Sequence, residues 1–187
     1  MISEQISLIK ENYTINKASL IDILKIHKLY INLSQQSKST YHSKIYGYPN
    51  GIIWFLSQIC MFLSNTPCIY LWRRAIPIYI YRHFVAKNKS GEVIGFVHFV
   101  LHGKDIRGRV RANVGAAIAD KYQGLGIGSA LFKEMIWYAL EQDKIDILYL
   151  DVLDSNISAV KLYTKYGFKI KKTENGILKM ECNLQGN

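Results

Sequence analysis

The chain has 187 residues, 49% of them hydrophobic and 20% charged, with three Pro, 13 Gly and a formal charge of +10. That length fits one domain able to bury a core without disulfide or metal staples. The composition excludes wholesale disorder, collagen and low-complexity linkers. The charge is concentrated in one segment. Between Asp22 and Glu92 there is no acidic residue, but there are nine cations: Lys25, Lys28, Lys38, Lys44, Arg73, Arg74, Arg82, Lys87 and Lys89. Outside that block 15 positive residues face 14 negative ones. Such a block points to an anionic partner, which can be a phosphate-bearing small molecule, a lipid surface or a nucleic acid, or simply to a solvated face.

In chain order, residues 12–16 read as a short strand, and Ser19 offers an N-cap. Leu20, Ile23, Leu24, Ile26, Leu29 and Tyr30 then recur at helical spacing. From Ser34 to Asn50 polar and turn residues dominate. Residues 51–81 crowd Trp54, Phe55, Met61, Phe62, Tyr70, Trp72, Tyr79 and Tyr81 around Arg73 and Arg74; a helix over 51–63 is expected. Ile52–Leu63 is too short for the ~20 residues of a spanning helix. Phe84–Lys87 and Val93–Leu101 form a hairpin about Ser90-Gly91. Arg111–Asp120 is a strand, and residues 126–142 form an amphipathic helix with Ile127, Leu131, Met135 and Ala139 on one stripe. Ile147–Val152 is a strand, Ser155–Tyr166 a helix, and Phe168–Lys172 and Ile177–Asn183 are closing strands. The order ααβββαβαββ describes an α/β (α+β) sheet with helices on its faces. Cys60, Cys68 and Cys182 lack CxxC spacing, which argues against a zinc knuckle or disulfide framework and for a reducing, cytoplasmic setting. No signal-peptide pattern is visible at the N-terminus.

Two segments carry chemistry. The first is Gln123-Gly124-Leu125-Gly126-Ile127-Gly128-Ser129, placed between a strand and a helix. Glycines there allow backbone to approach a ligand, and the free N–H groups of a helix start make an anion site suited to a pyrophosphate. No Gly-Lys-Ser/Thr follows, so it is not a P-loop. The second runs from Asp151 to Phe168: a strand, Asn156, a helix bearing Tyr163, then Gly167-Phe168. Gly167 suits the left-handed residue after a helix, with Phe168 folding back to fix the Tyr163 ring. Taken singly, Asn156 is an N-cap and Tyr163 a core aromatic.

Together the two segments resemble the GNAT superfamily of acetyl-CoA-dependent N-acetyltransferases. Gln123, Gly126 and Gly128 match its Gln/Arg-x-x-Gly-x-Gly/Ala motif. Asn156, Ala159, Leu162, Tyr163, Gly167 and Phe168 match its Asn-x-x-Ala-x-x-Leu-Tyr-x-x-x-Gly-Phe motif. The resemblance covers about residues 82–182. It implies a GNAT fold, with a central mixed, mostly antiparallel sheet whose strands splay and are flanked by helices. It also implies one domain over 1–187, with 1–81 on the acceptor side and 82–187 as the cofactor core. It further implies that the backbone of Ala116, Ala117 and Ile118 binds the pantetheine arm, and that Gln123, Gly124, Leu125, Gly126, Ile127, Gly128 and Ser129 hold the pyrophosphate. Asn156 would bond the arm, Tyr163 would be the general acid, and no metal is required. Asp151, at the strand end, is a candidate base, with His98 and His102 as alternatives.

A primary amine of a small molecule is the expected acceptor. The basic block would repel a polycation and favour an anionic amine such as an amino-sugar nucleotide. Protein N-terminal or lysine acetylation is the alternative within the same chemistry, and a non-catalytic acyl-CoA-binding module lies outside it. The aromatic stretch 51–81 is accounted for by core burial or a homodimer face. A membrane-surface role is disfavoured because Ile52–Leu63 lacks a charged face. Nucleic-acid binding finds no known motif.

Overall fold

The computed structural model describes residues 13–40 and 80–185. The expected helix over 51–63, the aromatic stretch as far as Tyr79, and Lys44, Arg73 and Arg74 lie outside the described residues. The described elements are β1 (Tyr13–Lys17), α1 (Leu20–Ile31), α2 (Gln35–Thr40), β2 (Ile80–Asn88), β3 (Val93–Lys104), β4 (Val110–Ile118), α3 (Ile127–Glu141), β5 (Ile147–Leu153), α4 (Ile157–Lys165), β6 (Lys169–Glu174) and β7 (Ile177–Asn183). They build a sheet ordered β1-β2-β3-β4-β5-β7-β6. All neighbours are antiparallel except β4 and β5. This is the mixed, mostly antiparallel sheet expected from sequence.

Local chemistry explains most elements. α1 begins at Ser19, whose N–H and hydroxyl both donate to Asp22 Oδ2 at 2.8 and 2.6 Å, satisfying an otherwise orphaned donor. Its Ile23, Ile26 and Leu29 are buried together with Leu33, Val85, Val93, Phe96 and Ala117 on one sheet face. The opposite face buries Phe84, Val97, Phe99, Leu148 and Leu150 under Ile127, Leu131, Phe132, Met135 and Ala139 of α3. The hairpin between β2 and β3 closes through Asn88, whose Oδ1 accepts from Glu92 N at 2.9 Å and from the Ser90 hydroxyl at 2.7 Å.

α2 departs from the sequence reading, which had only turn residues there. Gln35–Thr40 is polar throughout, so no apolar period marks it. It forms because Ser34 caps it: the Ser37 N–H donates to Ser34 Oγ at 3.2 Å and the Lys38 N–H to Ser34 O at 2.9 Å. Among the described residues no helix is long and apolar enough to cross a membrane.

The feature that positions a site is the β4–β5 junction. Parallel pairing covers only Arg111–Ile147, Ala112–Leu148 and Asn113–Tyr149. Beyond that point the strands part, while β4 keeps its ladder with β3 as far as Ile118. The β5-facing edge of Val114–Ile118 therefore presents backbone N–H and C=O groups to a gap.

Candidate functional site

The gap opens into a cleft of about 1090 Å³. Its floor is the edge of β4 from Asn113 to Ile118, one wall is the loop and first turn of α3, and another is Tyr149, Asp151 and the start of α4. Ser34, Gln36 and Ser37 of the α2 turn stand on a further side. Of the residues singled out from sequence, Ala116, Ala117, Ile118, Gln123, Gly124, Gly126, Ile127, Gly128, Ser129, Asp151, Asn156 and Tyr163 all line it. Leu125 does not: its side chain packs against the core.

The glycines of the loop serve two purposes. Gly124 and Gly126 have φ of +73° and +80°, and a Cβ built on either would meet nothing within 4 Å. They are needed for the left-handed turn and not for room. Gly126 is the N-cap of α3, so this turn aims the helix's first N–H groups outward at the cleft. Gly128 is different: a Cβ there would stand 3.3 Å from Leu162 Cδ2, so its absence lets α3 and α4 approach. The turn is fastened to the end of α4. Tyr166 donates to Ser129 O at 2.5 Å and lies 2.9 Å from the Ser129 hydroxyl, while Lys165 Nζ donates to that hydroxyl at 3.1 Å. Sequence reading assigned this turn to backbone alone; the fold adds the Lys165 ammonium beside it. A lysine 36 residues from Ser129 along the chain carries no local signal of that proximity.

Asn156 caps α4, its Oδ1 accepting from Ala159 N at 3.2 Å, which leaves its amide NH₂ available to the cleft. At the other end of α4, Phe168 N donates to Tyr163 O at 3.1 Å and Gly167 N to Thr164 O at 3.0 Å, with Gly167 at φ +84°. These are the paired bonds of a Schellman motif. Phe168 consequently folds back on Tyr163, ring centroids 5.9 Å apart, and Phe132 lies 5.3 Å from the same ring on another side. Removal of the phenol from water pushes its pKa up to about 12.

The histidines separate cleanly. His98 is fully buried between Phe96, at 6.1 Å, and His83, at 5.3 Å, and it does not line the cleft. Burial, with the His83 charge as a lesser cause, holds its pKa well below the usual imidazole range. It is therefore a neutral core residue and not a candidate base. His102 does line the cleft, edge-on to Tyr149 at 5.8 Å, and burial lowers its pKa, favouring the neutral imidazole whose unprotonated nitrogen can accept a proton. Asn113 Nδ2 donates to Tyr149 O at 3.3 Å across the last paired rung. Tyr149 and Asn113 were not singled out from sequence, although Tyr149 precedes Asp151 by two and so shares its strand face.

The described cations of the acid-free block lie elsewhere. Arg82 pairs with Asp143 at 3.0 Å and Lys87 with Asp22 at 2.7 Å. Lys25 and Lys38 donate to the carbonyls of Gly91 and Ile31, each at 2.7 Å. None of the six described members of the block lines the cleft, whose described walls carry Asp120, Asp151 and His102 and no Lys or Arg.

Comparison with known proteins follows the same lines. A family model described as the acetyltransferase (GNAT) family matches residues 55–168. L-amino acid N-acetyltransferase AaaT of Escherichia coli (strain K12) is 32% identical over 84 residues, 45% of this chain and 51% of that protein. Spermine/spermidine N(1)-acetyltransferase of Bacillus subtilis (strain 168) is 36% identical over 52 residues, 28% of this chain and 34% of that one. The chain thus spans about half or less of the length of these curated relatives. Among solved structures, the yncA protein of Salmonella typhimurium with acetyl-CoA has a TM-score of 0.64 at 15% identity, covering 94% of this chain and 96% of that one. Spermidine N-acetyltransferase of Vibrio cholerae in complex with CoA and spermine has a TM-score of 0.63 at 20% identity, covering 94% and 97%. At these identities the structural likeness shows the fold.

Proposed function

Because the chain belongs to the acetyltransferase (GNAT) family, we propose that it is an N-acetyltransferase that passes the acetyl group of acetyl-CoA directly to the primary amine of a small molecule. The observation that carries this reading is the parting of β4 and β5 directly beside a glycine-opened helix start. The residues fit such a cofactor. The N–H groups of the turn from Gly124 to Ser129 suit a pyrophosphate, the open edge of Ala116–Ile118 suits an extended amide-bearing arm, and the Asn156 amide stands opposite. Residues 82–187 form the cofactor half in this reading, with 1–81 on the acceptor side. The bound cofactor supplies an activated thioester.

The rest is assigned to side chains. An alkylammonium, with a pKa near ~10, must lose a proton before it can attack. Asp151 and His102 are the cleft residues able to accept it, directly or through water. N–H groups on the β4 edge stabilise the negative charge that develops on the acetyl oxygen. Tyr163, protonated at neutral pH like any phenol, offers its hydroxyl to the departing thiolate.

Two acceptor classes are supported by different observations. The acid-free block favours an anionic amine such as an amino-sugar nucleotide, a reading that depends on Lys44, Arg73 and Arg74. The described walls carry Asp120 and Asp151 and no Lys or Arg among the described residues, which favours a cationic amine; relatives named for L-amino acids and spermidine agree with a small amine. A release assay for the CoA thiol with L-amino acids, spermidine, amino-sugar nucleotides and an N-terminal peptide as acceptors decides. Turnover of the peptide alone would move the reading to protein acetylation. Tight acetyl-CoA binding with no turnover of any amine would make the chain a binding module.

A further inference from the structure

The α2 wall of the cleft raises a question of support. A six-residue polar helix is far below the ~12–15 residues at which helices hold themselves in water. Leu33, just before it, is buried in the core, and one carboxylate gathers several of the bonds that tie the turn to the rest of the fold. Asp120 lies between β4 and α3, at the start of the loop proposed to receive the pyrophosphate. Its Oδ2 accepts from Ser34 N at 2.9 Å. Its Oδ1 accepts from the Ser34 hydroxyl at 3.2 Å, from the Ser37 hydroxyl, and from the Gln123 amide at 3.3 Å. The same Gln123 amide donates to Ile118 O at 3.1 Å and to Ser37 Oγ at 3.2 Å. One carboxylate thus joins the end of the open strand, the cofactor loop and the α2 turn.

We propose that Asp120 is a positioning residue that couples the α2 wall to the cofactor loop, so that acetyl-CoA binding at the loop orders the adjoining wall. The proposal rests on the cofactor reading above. Its physical basis is that an exposed polar turn opens locally at small free-energy cost. Any ligand that holds Asp120 and Gln123 in place removes the freedom α2 would otherwise use. Only an ionised carboxylate accepts all four donors; an asparagine brings one oxygen and an NH₂ that opposes the Ser34 N–H or the Ser37 hydroxyl.

Hydrogen exchange of residues 34–40, with and without acetyl-CoA, tests this alongside calorimetric affinity. In the native chain saturating acetyl-CoA should slow exchange of the α2 amides about 10-fold, a coupling of ordinary size. In Asp120→Asn the affinity for acetyl-CoA should stay within about 3-fold while the ligand's protection of the α2 amides falls from about 10-fold to about 2-fold or less, because the loop N–H groups remain and of the link only the Gln123–Ser37 bond is left. Ser37→Ala should lose part of the effect, and Asp120→Glu should restore part of it. Protection of α2 by acetyl-CoA that survives undiminished in Asp120→Asn would overturn the proposal, as would native α2 amides that ignore the ligand. If Asp120→Asn fails to fold, Ser37→Ala carries the same comparison. A native chain that does not bind acetyl-CoA at all would overturn the cofactor reading and the coupling with it, and calorimetry separates that outcome from the others.

Discussion

Tyr163→Phe removes one oxygen and leaves the ring against Phe132 and Phe168. A phenol pushed up to about 12 is overwhelmingly protonated at pH 7. It is also a reluctant acid. An ordinary thiol titrates near ~8.5, so complete transfer from Tyr163 to a free thiolate spans about 3.5 pKa units, or roughly 5 kcal/mol uphill. The hydroxyl therefore acts chiefly as a hydrogen-bond donor to the developing thiolate. A bond to a charged group contributes about 1.5–3 kcal/mol, so kcat should fall about 10- to 150-fold. The Kd for acetyl-CoA should stay within about 2-fold, and Tm should move by no more than about 2 °C, since no packing is lost. Steady-state release of the CoA thiol, calorimetry and a thermal melt measure the three quantities. The pH profile adds a separate check: no alkaline loss of kcat below about pH 11 should arise from this group, given a phenol near 12. An unchanged kcat in Tyr163→Phe would show the ring to be only a core aromatic and refute the reasoning. A loss confined to cofactor affinity would refute it equally.

Gly126→Ala places a side chain at φ +80°, which costs about 1–2 kcal/mol and tilts the N–H groups of the turn; thermal melts should show a lower Tm and calorimetry a weaker affinity for acetyl-CoA. Phe132→Ala empties a fully buried site in contact with Tyr163, Tyr166 and Phe168 and should destabilise by about 3–5 kcal/mol in urea unfolding. For Asp22, burial alone would raise the carboxyl pKa, but hydrogen bonds from Lys87 and Ser19 outweigh it and the net shift is downward. A carboxyl lowered on folding contributes stability above its unfolded pKa and loses it as pH falls through the folded value. Unfolding series should therefore show this contribution intact at neutral pH and fading below about pH 4. Asp22→Asn should cost about 2–3 kcal/mol at pH 7, less than a fully buried pair because Lys87 reaches water, and its stability should depend less on pH at the acid end.

What the sequence determined by itself is local. Gly167 and Phe168 act within six residues of Tyr163, and their hydrogen bonds close inside that span. The loop from Gln123 to Ser129 is two left-handed glycines and a helix start, each set by the residue occupying it. Such features are readable because backbone preference and short-range bonding decide them.

Tertiary structure decided what depends on distant partners. α2 exists in a stretch of turn-formers because it is capped by Ser34 and tied to Asp120, 86 residues away from Ser34. His98 and His102 look alike in sequence, yet strand position sends one into the core and leaves the other on the cleft. The basic block is the clearest case. It is free of acids along the chain, yet among its described members Lys87 pairs with Asp22 and Arg82 with Asp143. Charge counted along a sequence ignores pairing across a sheet, and Coulomb interactions depend on distance through space and not on separation along the chain.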